Sequence, residues 1–88
     1  MPEISRFYGI IIYMYFKDHA PAHFHAKYNE FEAVVSIEDF AITKGRLPSK
    51  AMGLVMEWAT IHQKELLKNW NDLSESDTPS FSEIEPLK

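Results

Sequence analysis

An antiparallel α+β domain is the fold class the sequence predicts: a meander sheet of about four strands with one long C-terminal helix packed on one face. Three observations predict it. An apolar β-branched run occupies residues 10–16, period-two stretches follow at 23–28 and 31–37, and an apolar stripe at steps of three and four extends over 47–73. At 88 residues the chain fits one domain, with 1–73 as its body and 74–88 as a loosely ordered acidic tail.

The first strand, 10–16, is Ile-Ile-Ile-Tyr-Met-Tyr-Phe, β-branched and aromatic without a turn former, which suits burial on both faces. Gly9 marks a bend before it. Lys17-Asp18-His19-Ala20-Pro21-Ala22 is a loop, because Pro21 cannot donate to a ladder and Asp18 is a turn former. From His23 the chain alternates, placing Phe24, Ala26 and Tyr28 on one face and His23, His25 and Lys27 on the other. Asn29-Glu30 turns the chain into the strand at 31–37, with Phe31, Ala33, Val35 and Ile37 opposite Glu32, Val34 and Ser36. A short strand at 40–43 and a turn at Lys44-Gly45-Arg46 complete the meander, since short connections force antiparallel neighbours. Pro48 near the first helical position opens the helix, whose stripe carries Ala51, Val55, Trp58, His62, Leu66 and Trp70. In the tail, Ile84, Pro86 and Leu87 are the residues able to dock.

Composition narrows the function classes. With 45% hydrophobic and 25% charged residues, the chain has the balance of a folded domain and not of a disordered one. Absence of cysteine excludes disulfides, zinc ribbons and thiol catalysis. Most of the net charge of −4 comes from Glu75, Asp77, Glu83 and Glu85 in the tail, and a pI near 5.5 disfavours nucleic acid as the chief partner. The longest apolar run, 7–16, is half the roughly 20 residues of a membrane span. The opening Met1-Pro2-Glu3-Ile4-Ser5 has neither a basic leader nor a cleavage site, so a cytoplasmic chain without membrane contact is expected. One helix covers only one face of the sheet, so the second face of 10–16 (Ile11, Tyr13, Tyr15) calls for a cover: a small protein partner, a homodimer or the tail.

Chemistry concentrates in His19-Ala-Pro-Ala-His23-Phe-His25. In a strand, positions i and i+2 share a face, so His23 and His25 converge, His19 could add a third nitrogen from the loop, and Asp18 is the nearest carboxylate. Such a His-x3-His-x-His cluster suits a divalent metal such as zinc. It equally suits metal-free acid–base work, with His23 or His25 exchanging protons and Arg6, Lys17 or Lys27 steadying a phosphate. A polar, partly exposed face without any ligand is the third reading. His62 reads as a core histidine with partnered ring nitrogens, and Glu57 and Glu65 as a solvated face. No phosphate-cradling glycine loop or nucleophile elbow is present.

Four stretches together resemble a known family: Pro2-Glu3-Ile4-Ser5-Arg6-Phe7-Tyr8-Gly9-Ile10, Asp18-His19-Ala20-Pro21-Ala22-His23-Phe24-His25-Ala26, Glu57-Trp58-Ala59-Thr60-Ile61-His62-Gln63 and Ile84-Glu85-Pro86-Leu87. They are similar to the small prokaryotic domain-of-unknown-function family numbered 4160, whose most specific element is the Pro-x-His-Phe-His-Ala block at 21–26. Where members commonly carry Pro-Pro, this chain has Pro21-Ala22. The resemblance implies a cytoplasmic, partner-binding protein, often encoded beside a member of the unknown-function family numbered 2442 as a suspected toxin–antitoxin pair. It carries no catalytic assignment. The expected function is therefore a component of such a two-protein module, with RNA cleavage as the natural toxin activity by analogy. A metal-binding protein or small metalloenzyme is the alternative, and a non-catalytic adaptor or transcription-related regulator the third.

Overall fold

The computed structural model describes residues 2–75 and 80–88, and within these the chain is an α+β domain with a five-stranded antiparallel sheet and two helices. The strands β1 (Glu3–Phe7), β2 (Ile10–Tyr13), β3 (His23–Tyr28), β4 (Phe31–Ser36) and β5 (Ile42–Arg46) lie side by side in chain order. The helices α1 (Ser49–Ile61) and α2 (Gln63–Glu75) follow.

Three details differ from the sequence expectation of about four strands and one long helix. The first is β1, a strand beyond the four that the sequence predicts. Tyr8 and Gly9, both at positive φ, form a two-residue turn that folds β1 against β2 in the register Phe7↔Ile10. The second is the last strand, which spans Ile42–Arg46 and not 40–43. Asp39 accepts a hydrogen bond from the Ala41 amide and Phe40 takes a positive φ, so these residues belong to the turn, while the expected turn at Lys44-Gly45-Arg46 is ladder. The third is a break in the helix at His62. There the amide is shared between the Trp58 and Ala59 carbonyls. The Gln63 side-chain amide beyond it donates to the carbonyls of Ile37 and Glu38, pinning the start of α2 to the end of β4.

The helices cover one face of the sheet. Ile10, Ile12, Phe24, Ala26, Ala33 and Val35 face Val55, Trp58, Leu66 and Leu73 in a single core. Trp58 is its centre, with ring centroids 5.4 Å from Phe7 and 6.1 Å from Phe24. Beyond Tyr13 the chain leaves the ladder, so the run expected to be a strand to residue 16 ends early, and Tyr15 and Phe16 are exposed.

The last residues return to the body. The Ile84 amide donates to the Ile4 carbonyl at the outer margin of β1, the Trp58 indole N–H donates to the Glu85 carbonyl, and Asn69 holds Ser82 by two hydrogen bonds. The loose order expected of 74–88 falls in part on residues 76–79, outside the described residues. No helix among the described residues is long and apolar enough to cross a membrane.

Two glycines make opposite demands. Gly45 has φ +72 and a Cβ there would overlap the Glu32 carbonyl, whereas Gly53, inside α1, would meet nothing within 4 Å. Gly45→Ala is expected to cost more than about 1 kcal/mol through strain, and Gly53→Ala to stabilise by about 0.5–1 kcal/mol through helix propensity. Chemical denaturation of both variants checks the pair, and equal effects would refute the account of β5.

Candidate functional site

The face of the sheet away from the helices carries the histidines. Because Phe24 and Ala26 point into the core, alternation sends His23 and His25 to the opposite side of β3, as the sequence expects. The loop between β2 and β3 then brings Asp18 over them. Its Oδ1 accepts the His19 amide at 2.8 Å, which fixes the carboxylate so that Oδ2 lies 2.9 Å from His23 Nε2 and 3.7 Å from His25 Nε2. One ligand atom from each of Asp18, His23 and His25 thus falls within 4.8 Å of the others.

The two imidazoles differ in their partners. His23 Nδ1 is 2.8 Å from the Pro21 carbonyl, an acceptor, so Nδ1 carries a proton and donates. Its Nε2 faces a carboxylate, also an acceptor. His25 is sandwiched between Tyr13, stacked at 4.9 Å, and Tyr15, edge-on at 4.9 Å, and both its nitrogens are buried without a hydrogen-bond partner among the described residues. The nearest groups are again carboxylates, Asp18 Oδ2 and, at 3.5 Å from Nδ1, Glu32 Oε2. Two imidazoles and two carboxylates therefore converge on one spot of this face.

The Asp18 carboxyl is pushed up by burial, but the His19 amide hydrogen bond and the charge and hydrogen bond of His23 outweigh that and hold it below its usual value. Glu32 accepts a short hydrogen bond from the Tyr13 hydroxyl. Burial first, then the hydrogen bond and charge of Glu32, raise the Tyr13 phenol well above its ordinary range. A raised acid keeps its proton better in the fold, so this contribution to stability is complete below about pH 10, the unfolded phenol's value, and is lost as pH climbs past it. Tyr13→Phe is expected to flatten that alkaline loss, read from urea midpoints on both sides of pH 10. An unchanged slope would assign the loss to other groups.

The remaining candidates from the sequence sit elsewhere. His19 lies outside the close set: its side chain is 87% exposed and its Nε2 is 3.8 Å from Asp18 Oδ1. Arg6 is ion-paired with Glu3 at 2.7 Å on β1, and the Lys17 amide donates to the Leu73 carbonyl; neither lines the cleft over the histidines. His62 packs on Trp58 and its Nδ1 is 2.6 Å from Glu65 Oε1, outside the cluster. The sequence reading passed over Glu32 and Tyr13 as partners of His25. The signal was present, since Glu32 opposes Ala33 and Phe31 on β4 just as His25 opposes Phe24 and Ala26 on β3, which puts both on one face.

A cleft of about 700 Å³ opens over the cluster, walled by Tyr15 and Pro21 on one side and by Val34, Thr43 and Lys44 on the other. Fold and site together define a small α+β domain with a histidine–carboxylate cluster on the open face of its sheet. The chain belongs to the family described as Domain of unknown function (DUF4160), whose model matches residues 9–71. No curated protein and no solved structure matches it.

Proposed function

We propose that the protein binds a divalent first-row metal ion such as zinc through Asp18 Oδ2, His23 Nε2 and His25 Nε2, with a coordination position open to the cleft. The observation that carries this is His25, whose two buried nitrogens have no hydrogen-bond partner among the described residues and lie within 4 Å of two carboxylates. An ion at the centre would give His25 Nε2 a partner and would sit against the Asp18 carboxylate. Each Nε2 would face the metal, while His23 Nδ1–H donates to the Pro21 carbonyl and the Glu32 carboxylate, 3.5 Å from His25 Nδ1, would serve as the outer partner of that ring. Ligand atoms about 2.0–2.1 Å from a tetrahedral ion lie about 3.3 Å apart, and the separations of 2.9 and 3.7 Å bracket that value. The donor set of two imidazoles and a carboxylate suits zinc or iron(II). Bound there, such an ion supplies Lewis acidity and a water acidified to near neutral pH.

Elemental analysis by mass spectrometry of the untagged protein, purified without chelator and then incubated with zinc, tests this against His23→Ala/His25→Ala. About one ion per chain in the wild type, absent from the variant, is expected. No uptake by the wild type, or equal uptake by both, refutes the site.

A second reading, one member of a two-protein toxin–antitoxin-like module, is supported by β5, which is exposed along its length and, among the described residues, paired only with β4. An edge strand of that kind offers a partner a row of backbone donors and acceptors. On this reading His19→Ala/His23→Ala/His25→Ala abolishes toxicity on expression and spares partner binding, and a fully toxic variant refutes a histidine-based activity.

A further inference from the structure

We infer that the cleft over the cluster takes a phosphate ester bearing a planar ring, a nucleotide or a single-stranded oligonucleotide, with the phosphoryl group bridging the bound ion and Lys44 and the ring lying on Tyr15. The inference rests on the metal reading above and names the ligand of the same site. Three observations carry it.

Charge comes first. The carboxylates lining the cleft are Asp18 and Glu32, and its lysine is Lys44. A divalent ion cancels the two carboxylates and leaves Lys44 in excess, so the occupied site attracts an anion although the whole chain carries −4. With its histidines neutral and no metal bound, the same cleft has two carboxylates against one lysine and disfavours an anion. Anion binding is thus conditional on the ion.

The second observation is the placement of Lys44. It pairs with Val34, which pairs in turn with His25, so three neighbouring strands carry these residues in one row across the sheet. An anion joining an ion at His25 to an ammonium on β5 spans that row, and a phosphoryl group, with several acceptor oxygens, serves both at once. The third is the wall. Tyr15 is 42% exposed, yet its ring is held by edge-on contacts with Tyr13 and His25, a fixed flat surface of the kind on which bases stack. A cleft of about 700 Å³ lies within the range of small-molecule sites.

The test is calorimetric titration of the zinc-incubated protein, its metal content measured in the same sample, with adenosine 5′-monophosphate, adenosine and inorganic phosphate. Adenosine monophosphate is expected to bind only when zinc is present, adenosine at least about tenfold more weakly, and phosphate in between. Lys44→Ala is expected to weaken the nucleotide about tenfold or more at unchanged zinc content, and Tyr15→Ala to remove its advantage over phosphate. Comparison with the dinucleotide ApA separates the two sources of the ligand, tighter binding of ApA pointing to a single strand. Full zinc occupancy without nucleotide binding, or nucleotide binding indifferent to Lys44→Ala, overturns this inference and leaves the metal site standing. Failure to take up zinc overturns the metal reading, and this one with it.

Discussion

Trp58→Ala is expected to bring the domain to the edge of unfolding. The indole is fully buried, packs on Phe7 and Phe24, and donates its N–H to the Glu85 carbonyl at 2.9 Å. Truncating a buried tryptophan costs about 3–5 kcal/mol through lost transfer energy and the cavity left behind. Here the orphaned Glu85 carbonyl adds to that. Total stabilities of natural domains are about 5–15 kcal/mol, with small domains toward the low end. Urea denaturation followed by far-ultraviolet circular dichroism should show a midpoint lower by about 2 M or more. Trp58→Phe, which keeps the ring contacts and loses the N–H, should fall between. A loss below about 1 kcal/mol for the alanine variant would mean that Trp58 does not seat the helices on the sheet.

Zinc is expected to stabilise the wild type nearly as strongly, with the opposite sign. A ligand that binds only the folded state at a hundredfold excess over Kd contributes about 2.7 kcal/mol, which for a domain of this size raises Tm by about 10 °C or more. The ion would also relieve a repulsive arrangement, because Asp18 and Glu32 both face the acceptor-lined spot around His25. Thermal scans with added zinc, and again after chelator, measure the shift and its reversal. In His23→Ala/His25→Ala the shift should vanish. A shift of equal size in that variant would place the bound ion elsewhere on the chain.

The residues differ in how openly the sequence displays their roles. His23 and His25 were legible because period two is unambiguous between Phe24 and Ala26 on one side and a histidine pair on the other. The helix break at His62 was not, because no glycine or proline marks it and the apolar stripe keeps its phase from Trp58 through Leu66. Its anchor is Gln63 bonding to carbonyls 26 and 25 residues away, a tertiary event without a local signal. The strand β1 escaped notice because its turn uses Tyr8 at positive φ, where asparagine or aspartate is the usual cue. Gly45 makes Lys44-Gly45-Arg46 look like a turn in the sequence, whereas the glycine serves a close approach of β5 to Glu32. Glu32 was visible on the correct face of its own strand, and only the β3–β4 register ties it to His25.

The hydrogen bond from Ile84 to Ile4 has a consequence for how copies of this chain can join. Glu83, Ile84 and Pro86 lie beside β1, so that margin of the sheet is already engaged, whereas the β5 margin is bare. Among the described residues, β5 is therefore the more open of the two margins. A strand added at the β1 margin would have to compete with the hydrogen bond from Ile84 to Ile4, whereas one added at β5 would meet a free row of backbone donors and acceptors.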